Sequence, residues 1–237
     1  METNNSRCIL MHCELYVISN TKIIRMRYER KFKMYNLMPD LITQMVRLHP
    51  ASFKKIYPDR QINNIYFDTS TLSTYWDNVN GVASRKKYRV RWYGDDVTKI
   101  EKPHFEVKAR LNELGTKKII RIDDFDLDNL RFLNRIVNEL KDSPGRLQPV
   151  LMNSYKRSYY GTPDEKFRVT VDWNIRYFSM MFAQRFTRYT VQDFNAIVFE
   201  MKYDRHDDND TDRITQHFPF RQTKSSKYVT GVQYTIY

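Results

Sequence analysis

Five stretches of this chain alternate charged with apolar residues so regularly that each must present one ionic face. In residues 85–93, Arg85, Lys87, Arg89 and Arg91 share one side, and Tyr88, Val90 and Trp92 share the other. In residues 24–33, Arg25, Arg27, Glu29, Lys31 and Lys33 oppose Ile24, Met26, Tyr28 and Phe32. Residues 104–110 set His104, Glu106, Lys108 and Arg110 against Phe105, Val107 and Ala109. Residues 166–172 group Lys166, Arg168, Thr170 and Asp172, and residues 198–204 group Val198, Glu200, Lys202 and Asp204. Such rows suit either the solvated outer faces of a sandwich or the lumen of a closed antiparallel barrel. The scarcity of Ser, Thr and Gln among the charges favours the lumen. Cations converging in a cavity repel one another unless an anion lies between them. The lumen would therefore take a phosphate chain, with its few carboxylates holding a divalent metal on the phosphate oxygens.

The elements between these rows must hold them in place. Leu37, Leu41, Ile42, Met45 and Leu48 recur at helical spacing in residues 36–49, before Pro50. A second helix is expected over 126–140, where Leu127, Leu130, Leu133, Ile136, Val137 and Leu140 form a stripe and Asp126 and Asp128 suit its N-terminus. Strands are expected at 62–68, 116–123, 149–160, 166–173, 176–186 and 197–204, with a turn at 77–81 and a turn or short helix at 224–231. Tyr (17) and Phe (14) far outnumber Gly (6) and Pro (8), a balance that favours aromatic-rich strands and an α+β or all-β chain.

The 237 residues carry 40 Lys+Arg against 28 Asp+Glu, a net charge of +12 that points to a polyanionic partner. With 41% hydrophobic residues the chain can bury a core, so extended disorder is excluded. No apolar run approaches the roughly 18 residues of a membrane-spanning helix. Cys8 and Cys13 are the only cysteines, so no disulfide framework exists and a reducing, cytoplasmic setting is expected. Residues 1–22 read as an extra arm, or as a leader ahead of a start at Met26, and residues 23–237 as one domain. The acidic run 207–212 is no EF-hand, because Arg213 and Pro219 stand where its glycine and final glutamate belong. The five histidines show no zinc spacing, and no glycine-rich phosphate loop is present, so a nucleotide would be held by side chains.

Several segments resemble, in order, the VTC domain: RYERK at 27–31, IYFD at 65–68, KYRVRWYG at 87–94, FEVK at 105–108, YKR at 155–157, FRVTVD at 167–172, FEMK at 199–202 and SKY at 226–228. This is the catalytic domain of vacuolar transporter chaperone polyphosphate polymerases, in the triphosphate tunnel metalloenzyme superfamily. The resemblance implies an eight-stranded antiparallel tunnel barrel flanked by helices. It further implies transfer of the γ-phosphate of ATP to a growing polyphosphate chain with manganese or magnesium. It assigns phosphate contacts to Lys31, Arg89, Arg91, Lys108, Lys118, Arg157 and Arg168, the metal-binding acid to Glu200, and a C-terminal phosphate-binding pair to Ser226 and Lys227. Glu29 and Glu106, in the charged rows, would join Glu200 around the metal. The expected partners are ATP and polyphosphate, with no nucleic acid, whose footprint would be an exposed patch. A membrane protein would be needed for any transport role, and the chain itself is expected to be a monomer. Hydrolase and cyclase members of the superfamily begin with Glu-x-Glu-x-Lys. Here Arg27 replaces the first Glu, which weakens chelation and favours polyanion binding. A non-catalytic polyphosphate or nucleotide binder and a triphosphate hydrolase remain the alternatives.

Overall fold

The computed structural model describes residues 22–24, 28–111, 114–127, 133, 137, 143–181 and 190–237. Its main strands are β1 (Lys22–Ile24), β2 (Tyr28–Tyr35), β3 (Lys54–Asp68), β4 (Ser84–Tyr93), β6 (His104–Leu111), β7 (Leu114–Arg121), β9 (Gln148–Gly161), β10 (Arg168–Ser179) and β12 (Ala196–Tyr203). Short strands β5 (Lys99–Ile100) and β8 (Phe125–Asp126) pair only with each other, and β11 (Thr190–Asp193) extends β10. The described helices are α1 (Pro39–Arg47), α2 (Ser73–Val79), α3 (Thr211–Thr215) and α4 (Lys227–Thr235).

All pairings are antiparallel, in the order β1-β7-β6-β4-β3-β9-β10-β12-β2. The segment 22–35 thus occupies both edges, its start on β7 and the rest on β12. Lys108 of β6 reaches Glu29 of β2 at 2.8 Å, so side chains from opposite ends of the sheet meet in one lumen. Counting that edge segment once, eight walls form the expected barrel. Lys22, assigned by sequence to the N-terminal arm, belongs to β1 and lies ahead of Met26. Residues 1–21, with Cys8 and Cys13, and residues 25–27, with Arg27, lie outside the described residues.

Alternation explains the layering: most inward charges are followed by an outward apolar residue that needs cover. Ile42 and Val46 of α1 cover Phe32, Val169, Val171, Phe199 and Met201. Of the expected 126–140 helix, Asp126 instead lies in β8, paired with Lys99, so the helix does not start there; Leu133 and Val137 are helical and cover Tyr88, Val90, Trp92 and Phe105. The expected strands 166–173 and 176–186 form a single strand, β10, as far as Ser179. It bulges between Trp173 and Arg176, where Asn174 takes a left-handed φ of 53°. Residues 182–186 of the second lie outside the described residues. The turn expected at 77–81 is confined to Asn80 and Gly81, because α2 runs from Ser73 to Val79 ahead of it.

α4 departs from the expectation that every helix packs outside. Its Tyr228 stacks on Tyr66 with centroids 5.1 Å apart, and the Tyr66 hydroxyl accepts from Arg89 at 3.5 Å, so this helix borders the lumen. Asp68, fully buried, anchors it. Its carboxylate accepts from the Thr74 and Tyr75 amides at 2.9 Å each, capping α2, and also from the Tyr228 hydroxyl. Gly231 sits so close to β9 and β10 that a Cβ there would collide with Leu151 and Tyr177. Gly231→Ala should cost about 2 kcal/mol by overpacking, a fall in Tm of roughly 4–8 °C in a thermal melt. An unchanged Tm would show that α4 is not held this closely.

Candidate functional site

Among the described residues, the basic side chains on the lumen face include Lys31, Lys87, Arg89, Arg91, Lys108, Lys117, Arg157, Arg168, Lys202 and Lys227. Four carboxylates stand among them, Glu29, Glu106, Asp172 and Glu200, and they divide the lumen into three ionic groups.

In the first, Glu106 takes Arg89 Nε at 2.6 Å on Oε2 and Lys117 Nζ at 2.5 Å on Oε1, with Arg91 at 4.0 Å. Arg91 also donates to Asn64 Oδ1 at 2.8 Å and to the Tyr155 hydroxyl at 3.3 Å. In the second, Arg157 grips Asp172 with both arms of its guanidinium, at 2.5 and 2.7 Å, and Lys227 pairs with the same carboxylate. In the third, Glu29 and Glu200 share three lysines. Lys31 lies 3.6 Å from each, Lys202 is 2.9 Å from Glu200, and Lys108 is 2.8 Å from Glu29.

Burial alone would push Glu29 up, and Glu200 repels it, but Lys108, Lys31 and Lys202 outweigh both and lower its carboxyl to about 2. Against the same burial penalty, Lys202, Lys31, Arg157 and Lys108 hold Glu200 well below the carboxylate range. Both acids are therefore ionised. Lys87 has the opposite environment: burial, then Lys31, Lys108, Arg85 and Arg89, pushes its ammonium well down. It donates to Ser226 Oγ at 2.9 Å, and no carboxylate pairs with it among the described residues. A buried cation whose neighbours are mostly cations is a place where an added anion gains most.

The register returns most residues expected from sequence to this lumen, and corrects others. Lys31, Arg89, Arg91, Lys108, Arg157, Glu200, Ser226 and Lys227 lie in the groups above. Arg168 stands opposite Lys202 and Gly161, at one end of the Thr170–Asp172 row. Lys118 does not join them. It pairs with Val107 on the outward face and is exposed, whereas Lys117, opposite Lys108, points inward. Lys166 lies in a loop 3.7 Å from Asp207 and 3.6 Å from Asp210. Lys87, Lys117, Lys202, Asp172 and Tyr155 are lumen residues that the sequence reading left without a role, although Lys87, Lys202 and Asp172 stood in its charged rows.

The three carboxylates expected around a metal do not converge. The described residues hold no cluster of three His, Cys, Asp or Glu side chains. Glu106 has both oxygens taken by Arg89 and Lys117, which leaves no room for a cation. Glu29 and Glu200 are ionised hard oxygen donors of the kind Mg²⁺ or Mn²⁺ takes, but lysines occupy them too, Lys108 on both oxygens of Glu29 and Lys202 and Lys31 on Glu200, so an ion would bind there only as those lysines turn to phosphate oxygens.

Burial lowers Lys108 to about 8 and Lys117 to about 7, in each case against attraction from a glutamate. Both are partly neutral at pH 8, and a bound polyanion would restore their charge. ATP, already ionised at that pH, should therefore bind with net proton uptake and with affinity that falls as pH rises from 6.5 to 9. Calorimetry in two buffers of different ionisation enthalpy measures this directly. An enthalpy independent of buffer would contradict it.

The family model described as "VTC domain" matches residues 26–236. No curated protein matches the chain in a sequence comparison. Among solved structures, one from Bacillus halodurans, described as a candidate adenylate cyclase, superposes with a TM-score of 0.51 at 11% identity, covering 87% of this chain and 98% of its own. A Vibrio parahaemolyticus protein with the same description gives 0.50 at 12% identity, covering 85% and 95%. At such identity the likeness concerns the fold, and that fold is the triphosphate tunnel.

Proposed function

The chain belongs to the VTC domain family, and we propose from that premise that it is an ATP-dependent polyphosphate polymerase. The family lies within a superfamily of tunnel enzymes that act on triphosphates and generally use divalent metal ions. The observation that carries the finer reading is the excess of basic over acidic side chains in the lumen, with Lys87 paired to no carboxylate among the described residues. An inorganic polyanion threaded along the barrel would compensate that charge over its whole length.

In this reading Arg89, Arg91, Lys31 and Lys87 hold the triphosphate, and Ser226 and Lys227 at the start of α4 receive a neighbouring phosphate. The terminal oxygen of the growing chain attacks the γ-phosphorus of ATP. A new P–O–P bond forms as the bond from that phosphorus to the β–γ bridging oxygen breaks, releasing ADP and a chain one phosphate longer. The attacking oxygen is already ionised, so no strong general base is required. The lysines and arginines supply positioning and charge stabilisation, which dominate phosphoryl transfer. A divalent ion on Glu29 and Glu200 would neutralise further charge on the phosphate oxygens.

The test is incubation of purified protein with ATP and manganese or magnesium, followed by gel staining for polyphosphate. A ladder that disappears on treatment with a polyphosphate-degrading enzyme is expected. The absence of polymer with either metal would leave an anion-binding module or a hydrolase.

A further inference from the structure

At one end of the barrel the lumen changes from charged to aromatic. Arg60, exposed on β3, has its guanidinium carbon 5.0 Å from the ring centroid of Tyr57, 5.5 Å from Tyr93 and 5.7 Å from Tyr159. No carboxylate pairs with Arg60 among the described residues. Tyr57 and Tyr93 are 46% and 42% exposed, far more than the rings of the core, so this cluster faces solvent. Tyr159 also approaches Arg157 of the lumen at 6.0 Å, and the register sets Arg60 opposite Arg157 and Tyr57 opposite Tyr159. Along β3, Arg60 and Tyr66 are six residues apart, about 20 Å of strand, and Tyr66 packs against α4. The tyrosine cluster and α4 therefore lie toward different ends of the basic lumen.

Exposed aromatic rings around an uncommitted guanidinium are poor surface chemistry unless something flat covers them. A nucleobase is flat, neutral and polarisable. It stacks on tyrosine and on arginine alike, whichever base it is. We propose that Tyr57, Tyr93 and Tyr159, with Arg60, form the stacking platform for the nucleobase of the nucleoside triphosphate donor, whose phosphates enter the lumen past Arg157. The inference rests on the reading of the lumen as a triphosphate site and adds which mouth the nucleoside occupies. It also implies weak discrimination among bases, since stacking reads the π-face and no hydrogen-bonding side chain is needed.

The experiment compares ATP with inorganic tripolyphosphate, which has the phosphates and no base. Both are titrated calorimetrically, without metal, into the wild type and into Tyr57→Ala, Tyr93→Ala and Tyr93→Phe. ATP affinity should fall roughly ten-fold in each alanine variant. It should hold in Tyr93→Phe, and tripolyphosphate affinity should stay constant throughout, which also reports an intact fold. GTP should track ATP. Unchanged ATP affinity in both alanine variants, with tripolyphosphate still bound, overturns the platform and leaves the lumen reading standing. An equal loss for both ligands also overturns it, because the tyrosines would then support the phosphate site and not the base. If the wild type binds neither ligand, the lumen reading falls and the platform with it.

Discussion

Glu200→Gln should leave ATP bound and reduce chain synthesis by roughly two to three orders of magnitude. Glu200 is buried, pairs with Lys202 and lies beside Lys31, and in the proposed mechanism it would hold the divalent ion together with Glu29. Glutamine preserves size and removes the charge. Lys31 and Lys202, released from that carboxylate, become freer to contact phosphate, so ATP affinity should hold or rise. If Glu200 is one of two ligands to that ion, its loss would remove positive charge from the reacting oxygens, and a loss confined to the transition state appears in rate and not in binding. Initial rates and an ATP titration on one preparation give both quantities. Equal synthesis in wild type and variant would remove Glu200 from the mechanism.

The largest effect on stability is expected at Arg157. Asp172 has no solvent exposure, and Arg157 occupies both of its oxygens. Arg157→Ala leaves that carboxylate with Lys227 alone, and breaking a buried pair from one side costs about 4 kcal/mol, or roughly 8–16 °C in Tm. The pH dependence has a definite sign. Burial would raise the folded pKa of Asp172, but Arg157 and Lys227 outweigh it and lower it. Its stabilising contribution is thus present above the ordinary carboxylate pKa and is lost as pH falls through the folded value. The gap between wild type and variant should be widest near neutrality and narrow below about pH 4. Arg157→Ala with Asp172→Ala should recover part of the loss. A variant as stable as wild type at pH 7 would show that Lys227 suffices.

Alternation made the inward rows on β2, β4, β6, β10 and β12 legible, because most charged positions there are flanked by apolar neighbours, with Arg30 and Lys86 as the breaks. It failed on β7, where Lys117-Lys118-Ile119-Ile120 places two lysines before two isoleucines and either phase looks acceptable. Only the pairing of Lys108 with Lys117 selects the phase, and a contact between strands is invisible to a local pattern. The same holds for Asp172. Its place in a charged row was readable, but its partners Arg157 and Lys227 come from β9 and α4, far away in sequence. α2 escaped notice for a related reason. Leu72, its N-terminal flank, takes a left-handed φ of 57° and has no capping side chain, while Asp68, four residues earlier, satisfies the helix amides. The tyrosine mouth had no signal at all, since Tyr57, Arg60, Tyr93 and Tyr159 come together only through the β3 pairings.

If the lumen moves a phosphate from a nucleotide onto a phosphate chain, labelled phosphorus will follow that path. Wild-type protein is given ATP labelled at the γ position, a short polyphosphate primer and manganese, and the label is partitioned among ATP, orthophosphate and acid-precipitable polymer. Label should appear in polymer, matched mole for mole by ADP, with little orthophosphate. Label released wholly as orthophosphate would make the protein a hydrolase, and label remaining in ATP would make it a binder; either result contradicts the account.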